Sequence, residues 1–178
     1  MMSRSISALA CAAALLLAPT FASAALPVGA AAPALSTTAY QAGKPVAFDL
    51  AQALKKGPVV LYFFPAAYTG GCNIEAQEFA RSIEDFKAAG ATVIGVTGGN
   101  TDRLADFSKE HCAGQFPVAA APAATIAAYD VGRSADATTS NRTSYVIGRN
   151  GKIVGVHSEA GPLGHIASTL AVVKTLKK

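Results

Sequence analysis

Six consecutive apolar residues, Val59-Val60-Leu61-Tyr62-Phe63-Phe64, run directly into Pro65-Ala66-Ala67-Tyr68-Thr69-Gly70-Gly71-Cys72. An apolar run without alternation is what a strand covered on both faces requires. The segment after it carries Ala76, Phe79, Ile83 and Phe86 at helical spacing, which predicts a helix from Cys72 to Ala89 closed by Gly90. The chain is thereby committed to a strand, a short loop and a helix, with one cysteine delivered to the helix N-terminus. Unsatisfied backbone N–H groups and the positive end of the helix dipole favour a thiolate there. Cys72 therefore reads as a reactive group rather than an inert buried thiol.

The same pattern repeats downstream. Thr92–Val96 predicts a second strand, and Gly98-Gly99 leads to Asn100 or Thr101 as the N-cap of a helix carrying Leu104, Phe107 and His111 on one face and ended by Gly114. This β-α-β-α order is that of a parallel sheet with helices packed on it. Leu35–Tyr40 and Pro45–Phe48 read as a hairpin around Gln41-Ala42-Gly43-Lys44, and Asp49 as the cap of a short helix that Gly57-Pro58 breaks. Phe116–Ala119 reads as a short strand, Ala123–Tyr129 as a short helix and Gly132–Asn141 as a loop. Thr143–Ile147 and Lys152–His157 flank the turn Gly148-Arg149-Asn150-Gly151, and Leu163, Ile166, Leu170 and Val173 define a last helix. No repeat or compositional break marks a second domain. The fold class is α/β with a central mixed sheet flanked by helices.

The first 24 residues read as a signal peptide. Arg4 is the basic region, Ile6–Leu17 the apolar core, and Ala22-Ser23-Ala24 a small-residue cleavage site before Ala25. The core is shorter than the roughly 20 residues of a membrane span, and Ala8-Leu9-Ala10 ahead of Cys11 is not a lipobox. Residues 25–178 are then one exported domain, periplasmic or secreted, with no membrane segment after cleavage and an irregular N-terminal arm over residues 25–32. The formal charge is +4, and the basic residues are scattered apart from Lys174, Lys177 and Lys178. No basic run interleaves with aromatics, which argues against a nucleic-acid partner. Of the three cysteines, Cys72 and Cys112 survive cleavage, as a structural pair or a redox pair.

Around Cys72, Thr69 offers a hydroxyl that both donates and accepts. The N–H groups of Gly71 and Cys72 are further donors, Gly70 and Gly71 permit close approach, and Pro65 has no N–H and a stiff ring suited to shielding a thiolate. A cation is still wanted. Arg142, at the start of the Thr143–Ile147 strand, is the candidate, with an ordinary surface arginine as the alternative. His111, His157 and His165 lack metal-ligand spacing and read as surface or packing residues; no metal or cofactor is called for. Gly98-Gly99 is not followed by a phosphate-binding signature, and in the sequon Asn141-Arg142-Thr143 a role for the arginine competes with glycosylation.

Pro65, Thr69 and Cys72 match the Pro-x-x-x-Thr-x-x-Cys signature of peroxiredoxins, the thioredoxin-fold thiol peroxidases. The stretch from the apolar strand through Tyr68-Thr69-Gly70-Gly71-Cys72 to Glu75-Ala76 most resembles the Q-type branch, also called bacterioferritin comigratory protein. Arg142-Thr143-Ser144-Tyr145-Val146-Ile147 followed by Asn150-Gly151-Lys152-Ile153 resembles that branch's second landmark, and the likeness runs from about Val28 to the C-terminus. The resemblance implies a thioredoxin-like fold and an enzyme that reduces hydrogen peroxide and organic hydroperoxides with an external thiol or thioredoxin-like reductant, as a monomer. It implies Cys72 as the attacking thiolate that becomes a sulfenic acid, Thr69 positioning peroxide, Pro65 screening the sulfur, and Arg142 favouring the thiolate and stabilising the transition state. Glu75 either holds an arginine or is a first-turn carboxylate favoured by the helix dipole.

Three positions depart from the branch. Gly70 stands where many members carry proline, Gln77 where many carry a resolving cysteine, and Phe116-Pro117 leads into Val118 rather than an aspartate. Some relatives place the resolving cysteine in the helix that here carries Cys112. That residue falls about eleven residues along its helix, roughly 16 Å from the start, whereas a disulfide needs Cα atoms within about 7 Å. Resolution by Cys112, resolution by an external thiol, and a packing role for Cys112 stay open. Two other functions compete: a redox sensor, and a thioredoxin-like thiol-disulfide exchanger, which usually needs Cys-x-x-Cys where this chain has Thr69.

Overall fold

The computed structural model describes residues 25–134 and 137–176. The leader with Arg4 and Cys11, and the terminal Lys177-Lys178, lie outside the described residues. Among the described residues fourteen elements of regular structure follow one another, of which the apolar run is the centre. Every residue of Val59–Phe63 (β3) is buried, and alternate side chains point into two different cores. Val60 and Tyr62 face one cluster together with Phe64, while Val59, Leu61 and Phe63 face the other. Burying each such side chain contributes about 1.5–3 kcal/mol, so no polar residue could occupy either side of this strand without a partner.

The sheet has seven strands: β1 (Ser36–Gln41), β2 (Lys44–Asp49), β3, β4 (Thr92–Thr97), β5 (Val118–Ala120), β6 (Thr143–Ile147) and β7 (Ile153–Ser158), in the order β2-β1-β5-β4-β3-β6-β7. β4 runs parallel to β3 and β5, and all other neighbours pair antiparallel. The sheet is thus mixed, as the element pattern predicts. Helices α1 (Leu50–Lys56) and α5 (Ala123–Ala128) cover the face with Leu61 and Phe63. The opposite face carries α2 (Gly70–Arg81), α3 (Ile83–Ala88), α4 (Leu104–Glu110) and α6 (Gly164–Thr175). Asp49 caps α1 as expected, its Oδ1 accepting from Gln52 N at 2.9 Å. The arm after residue 24 has no helix or strand but is pinned to the β7 hairpin by Gly29 N to Ile153 O and Ala32 N to Gly151 O.

Four local expectations change. The helix predicted over residues 72–89 starts two residues earlier and is broken at Ser82, whose φ of −93° and ψ of 3° leave the helical region. The break gives α3 its own direction, so that Ile83 and Phe86 both reach the core. The second predicted helix is shorter at both ends. Asn100 does not cap it but turns left-handed and donates from Nδ2 to Ala67 O, and a 3₁₀ turn at Thr101–Arg103 precedes α4. At its other end Ala113 and Gly114 take positive φ, so Cys112 lies beyond α4 rather than within it. Finally, Leu163 does not join the apolar face of α6; it is 60% exposed, and His165 and Thr169 are buried beside Ile166 and Val173.

Candidate active site

The loop leaving β3 must turn sharply to start α2, and it does so at Tyr68, a non-glycine residue at φ +61°. Such a conformation is uncommon for a bulky side chain, and aromatic packing holds it here. The Tyr68 ring meets Phe107 and His111 edge-on, with the Arg103 guanidinium 4.4 Å over its face. A second loop, Gly98–Asn100, braces the first: Ala67 N donates to Gly99 O, and Asn100 Nδ2 to Ala67 O. The approach is close enough that a Cβ at Gly99 would stand 2.5 Å from the Pro65 carbonyl oxygen. The Gly-Gly pair is therefore a packing requirement of the loop that carries the cysteine.

Cys72 sits in the first turn of α2 with its side chain 1% exposed. Arg142, in the loop that enters β6, brings Nη2 to 3.6 Å from Sγ. The guanidinium is fixed on its other edges: Nε donates to Ala160 O at 3.1 Å, and Nη1 donates to Glu75 Oε2. Gly71 makes this fit, since a Cβ there would come within 3.1 Å of Nη2. Arg142 is only 9% exposed, so it is not an ordinary surface arginine, and Thr143 beside it is fully buried. Of the two readings of Glu75, the contact to Arg142 is the one present, since the carboxylate turns inward and is 0% exposed.

Thr69 is exposed, and its hydroxyl donates to Ala66 O at 3.0 Å, which closes the loop rather than capping α2. No described hydrogen bond joins it to the sulfur. Pro65 and Arg142 share a cleft of about 350 Å³ with Arg133, Asn141, Ser158, Glu159 and Ala160. Cys72, 1% exposed, does not line that cleft, and Arg142 is the residue common to the cleft and the sulfur.

Behind Glu75 lies a histidine that the sequence offers as a surface or packing residue. His165 is fully buried, with Nδ1 2.9 Å from Ser144 Oγ, Nε2 3.0 Å from Glu159 O, and Nδ1 3.8 Å from Glu75 Oε1. Burial pushes the Glu75 carboxyl up to about 8 in spite of the neighbouring guanidinium, and pushes the His165 imidazole down to about 4. No spacing or motif singles out His165 or Ser144. Only the folding of α6 against β6 brings them to the site.

Cys112 belongs to the same apolar cluster as Cys72, with Tyr62 and Phe79 among its members. Both thiols are free and buried. Burial alone pushes the Cys112 thiol far up. The residue before it, His111, contacts Gln77 Nε2 through Nδ1 at 3.3 Å. The turn carrying Cys112 thus packs against the second turn of α2, which removes the separation along α4 as a simple measure of its distance from Cys72.

The AhpC/TSA family matches residues 28–156. A chloroplastic peroxiredoxin Q of Sedum lineare is 32% identical over 138 residues, which span 77% of this chain and 73% of that protein. The chloroplastic peroxiredoxin Q of Oryza sativa subsp. japonica is 33% identical over 126 residues, 68% of this chain and 57% of its own length. Among solved structures, the peroxidoxin BcpB of Mycobacterium tuberculosis superposes with a TM-score of 0.74 at 25% identity, over 85% of this chain and 98% of that one. With that match the thioredoxin-like fold is established. The chain belongs to the AhpC/TSA family and, within it, to the peroxiredoxins, the thiol-dependent peroxidases that use peroxide as substrate and a thioredoxin-like protein as reductant.

Proposed function

We propose that this peroxiredoxin is exported, and that it reduces hydrogen peroxide and organic hydroperoxides through a sulfenic acid on Cys72. The observation that carries the reading is the guanidinium of Arg142 set 3.6 Å from a sulfur that is otherwise shut away from water. The Cys72 thiolate attacks the hydroxyl oxygen of a hydroperoxide ROOH. An S–O bond forms from a sulfur electron pair, the O–O bond breaks, and the sulfur leaves as Cys–S–OH. The departing RO⁻ takes a proton from the medium to become ROH. Charge moves from sulfur to the leaving oxygen, and the fixed N–H groups of Arg142 serve both ends of that movement.

Pro65 walls the entrance, and Thr69, held at the loop end, presents its oxygen as acceptor toward incoming peroxide. An external thiol then attacks the sulfenic sulfur and releases water. Cys112 attacking the sulfenic sulfur in its place would give an internal disulfide and water; in either case a second external thiol attacks the disulfide, leaves as the oxidised partner and returns Cys72 to the thiol. Export rests on the leader pattern of residues 1–24, which would release residues 25–178 into the periplasm or outside the cell. The protein acts as a monomer, as Q-type relatives commonly do. Peroxide consumption by the mature chain with a dithiol reductant tests the reading. Cys72→Ser should reduce it to the uncatalysed background while the fold, followed by circular dichroism, is retained; turnover at the parent rate in that variant would refute it.

A further inference from the structure

The tautomer of His165 follows from its partners. Nε2 lies 3.0 Å from the Glu159 carbonyl oxygen, which can only accept, so Nε2 carries a hydrogen. In the neutral ring Nδ1 is then an acceptor, taking the Ser144 hydroxyl at 2.9 Å. The same Nδ1 edge faces Glu75 Oε1 at 3.8 Å, and among the described residues Oε1 is buried without a hydrogen-bond partner. The buried Oε1 therefore faces an Nδ1 edge whose one lone pair is taken by the Ser144 hydroxyl, and that pair becomes available to Oε1 when the hydroxyl turns away; an ionised carboxylate against a neutral imidazole there is repulsive. One proton between them removes the conflict.

The charged and titratable groups around the His165–Glu75 pair are Arg142 from the loop before β6, His157 from β7, Glu159 beyond it and Tyr62 from β3, with Cys72 reached through Arg142. His157 packs edge-on to His165 at 4.5 Å and pairs with the Glu159 carboxylate at 3.3 Å. Glu75 joins His165 to the reacting sulfur through a titratable side chain, because its Oε2 accepts from Arg142; the adjacent carbonyls of Glu159 and Ala160 join them through backbone alone.

We propose that His165 is a positioning residue for the reaction at Cys72: with Glu75 it holds one proton between Nδ1 and Oε1, and that proton determines whether Arg142 faces the sulfur as an unneutralised cation or as half of an ion pair. The proposal rests on the reading that Cys72 attacks peroxide. With the proton in place, the cluster of thiolate, guanidinium and neutral Glu75/His165 pair carries no net charge, and the full positive charge of Arg142 is available to the transition state. Without it, a second buried anion competes with the thiolate for the same cation.

The test is the pH profile of the rate at which peroxide oxidises Cys72, read by rapid quenching and intact mass, in parent, His165→Gln and Glu75→Gln. Gln at 165 keeps a donor for the Glu159 carbonyl but removes Nδ1, and His165→Asn is the second variant should that one fold poorly. The parent rate should fall on an alkaline limb near pH 8. In His165→Gln that limb should move down by about one pH unit or more, since the protonated carboxyl loses its acceptor. Glu75→Gln should have no such limb, and adding His165→Gln to it should leave the profile unchanged in shape. A limb that stays in place or moves up in His165→Gln, or a rate lowered by one factor at every pH, overturns the proposal while leaving Cys72 as the attacking thiol. If peroxide fails to oxidise Cys72 in the parent, both readings fall together.

Discussion

The Nη2 atom of Arg142 lies 3.6 Å from the Sγ of Cys72, although 70 residues separate them in the chain. The pairing is a consequence of sheet order. β3 and β6 are antiparallel neighbours with Phe63 opposite Thr143, so the exit of one strand and the entry of the other share an edge. Each loop then needs only a few residues to bring its functional side chain to the same point.

Replacing Arg142 by Lys keeps a positive charge but loses the planar fork that reaches Sγ, Glu75 and Ala160 together. The loss of one good charged hydrogen bond, about 2–3 kcal/mol, corresponds to a fall of roughly 30- to 150-fold in the rate of Cys72 oxidation. Stopped-flow or quenched mass spectrometry at several peroxide concentrations would measure it. A variant as fast as the parent would return Arg142 to a structural role.

Stability should depend on pH with a definite sign. The Glu75 carboxyl, ordinarily near 4.5, is raised to about 8 in the fold by burial, against the pull of Arg142. Between those values the folded chain holds a proton that the unfolded chain does not, so stability falls as pH rises through the window. His165 opposes this: lowered by burial from 6.5 to about 4, it refuses a proton that the unfolded chain takes up, so stability rises with pH over that range. The two slopes offset each other between about 4.5 and 6.5 and leave Glu75 alone above it. Denaturant unfolding should therefore show a loss on the order of 1–2 kcal/mol from pH 6.5 to 8. Glu75→Gln should flatten that interval; an equal slope in parent and variant would contradict the assignment.

Gly99 supports the site from a second loop. A Cβ there would meet the Pro65 carbonyl oxygen at 2.5 Å and the Ala66 Cβ at 2.6 Å, and neither belongs to a flexible side-chain end. Gly99→Ala should destabilise the fold by about 1–3 kcal/mol through overpacking. It should also slow peroxide reaction, because the residues pushed away are those that lead to Cys72. Chemical denaturation and the Cys72 oxidation rate, measured on the same preparation, would check both effects; unchanged values would mean the loops yield without consequence.

The apolar run Val59–Phe64, the spacing of Ala76, Phe79, Ile83 and Phe86, and the hairpin turns made the sheet and its covering helices legible, because each is a local periodicity that burial dictates. Cys72 was legible for the same reason: a strand, a short loop and a helix start fix its place whatever else the chain does. The break at Ser82 was not, since no residue there forbids a helix and only the demand that Ile83 and Phe86 both reach the sheet bends the chain. Nor was the left-handed Tyr68, whose conformation depends on rings brought from α4. For His165 the sequence left surface and packing open, because a buried histidine and an exposed one look alike in sequence; the structure buries it. Its surroundings depend on Ser144 of β6, Glu75 of α2 and the Glu159 carbonyl in the loop after β7, three places far apart in the chain.

The remaining question is how the oxidised cysteine is recovered. Cys112 is 0% exposed, and burial pushes its thiol far up with no cation beside it among the described residues to offset this, which disfavours the thiolate that would attack a sulfenic acid. To resolve Cys72 it must first leave the apolar cluster, and the turn after α4, with Ala113 and Gly114 at positive φ, is the segment that would unwind. If Cys112 resolves, peroxide should convert the protein to an internal disulfide, lighter than the dithiol by two hydrogens. Amide exchange should then quicken across the first turn of α2 and the turn at residues 111–114. Cys112→Ala suits the test better than Ser, whose hydroxyl would cost about 1–3 kcal/mol in so dry a place. That variant should stop at the sulfenic acid and pass on to the sulfinic acid as peroxide is raised. Should parent and variant give the same oxidised species and the same turnover with an external dithiol, Cys112 is a packing residue and Cys72 works as a lone cysteine.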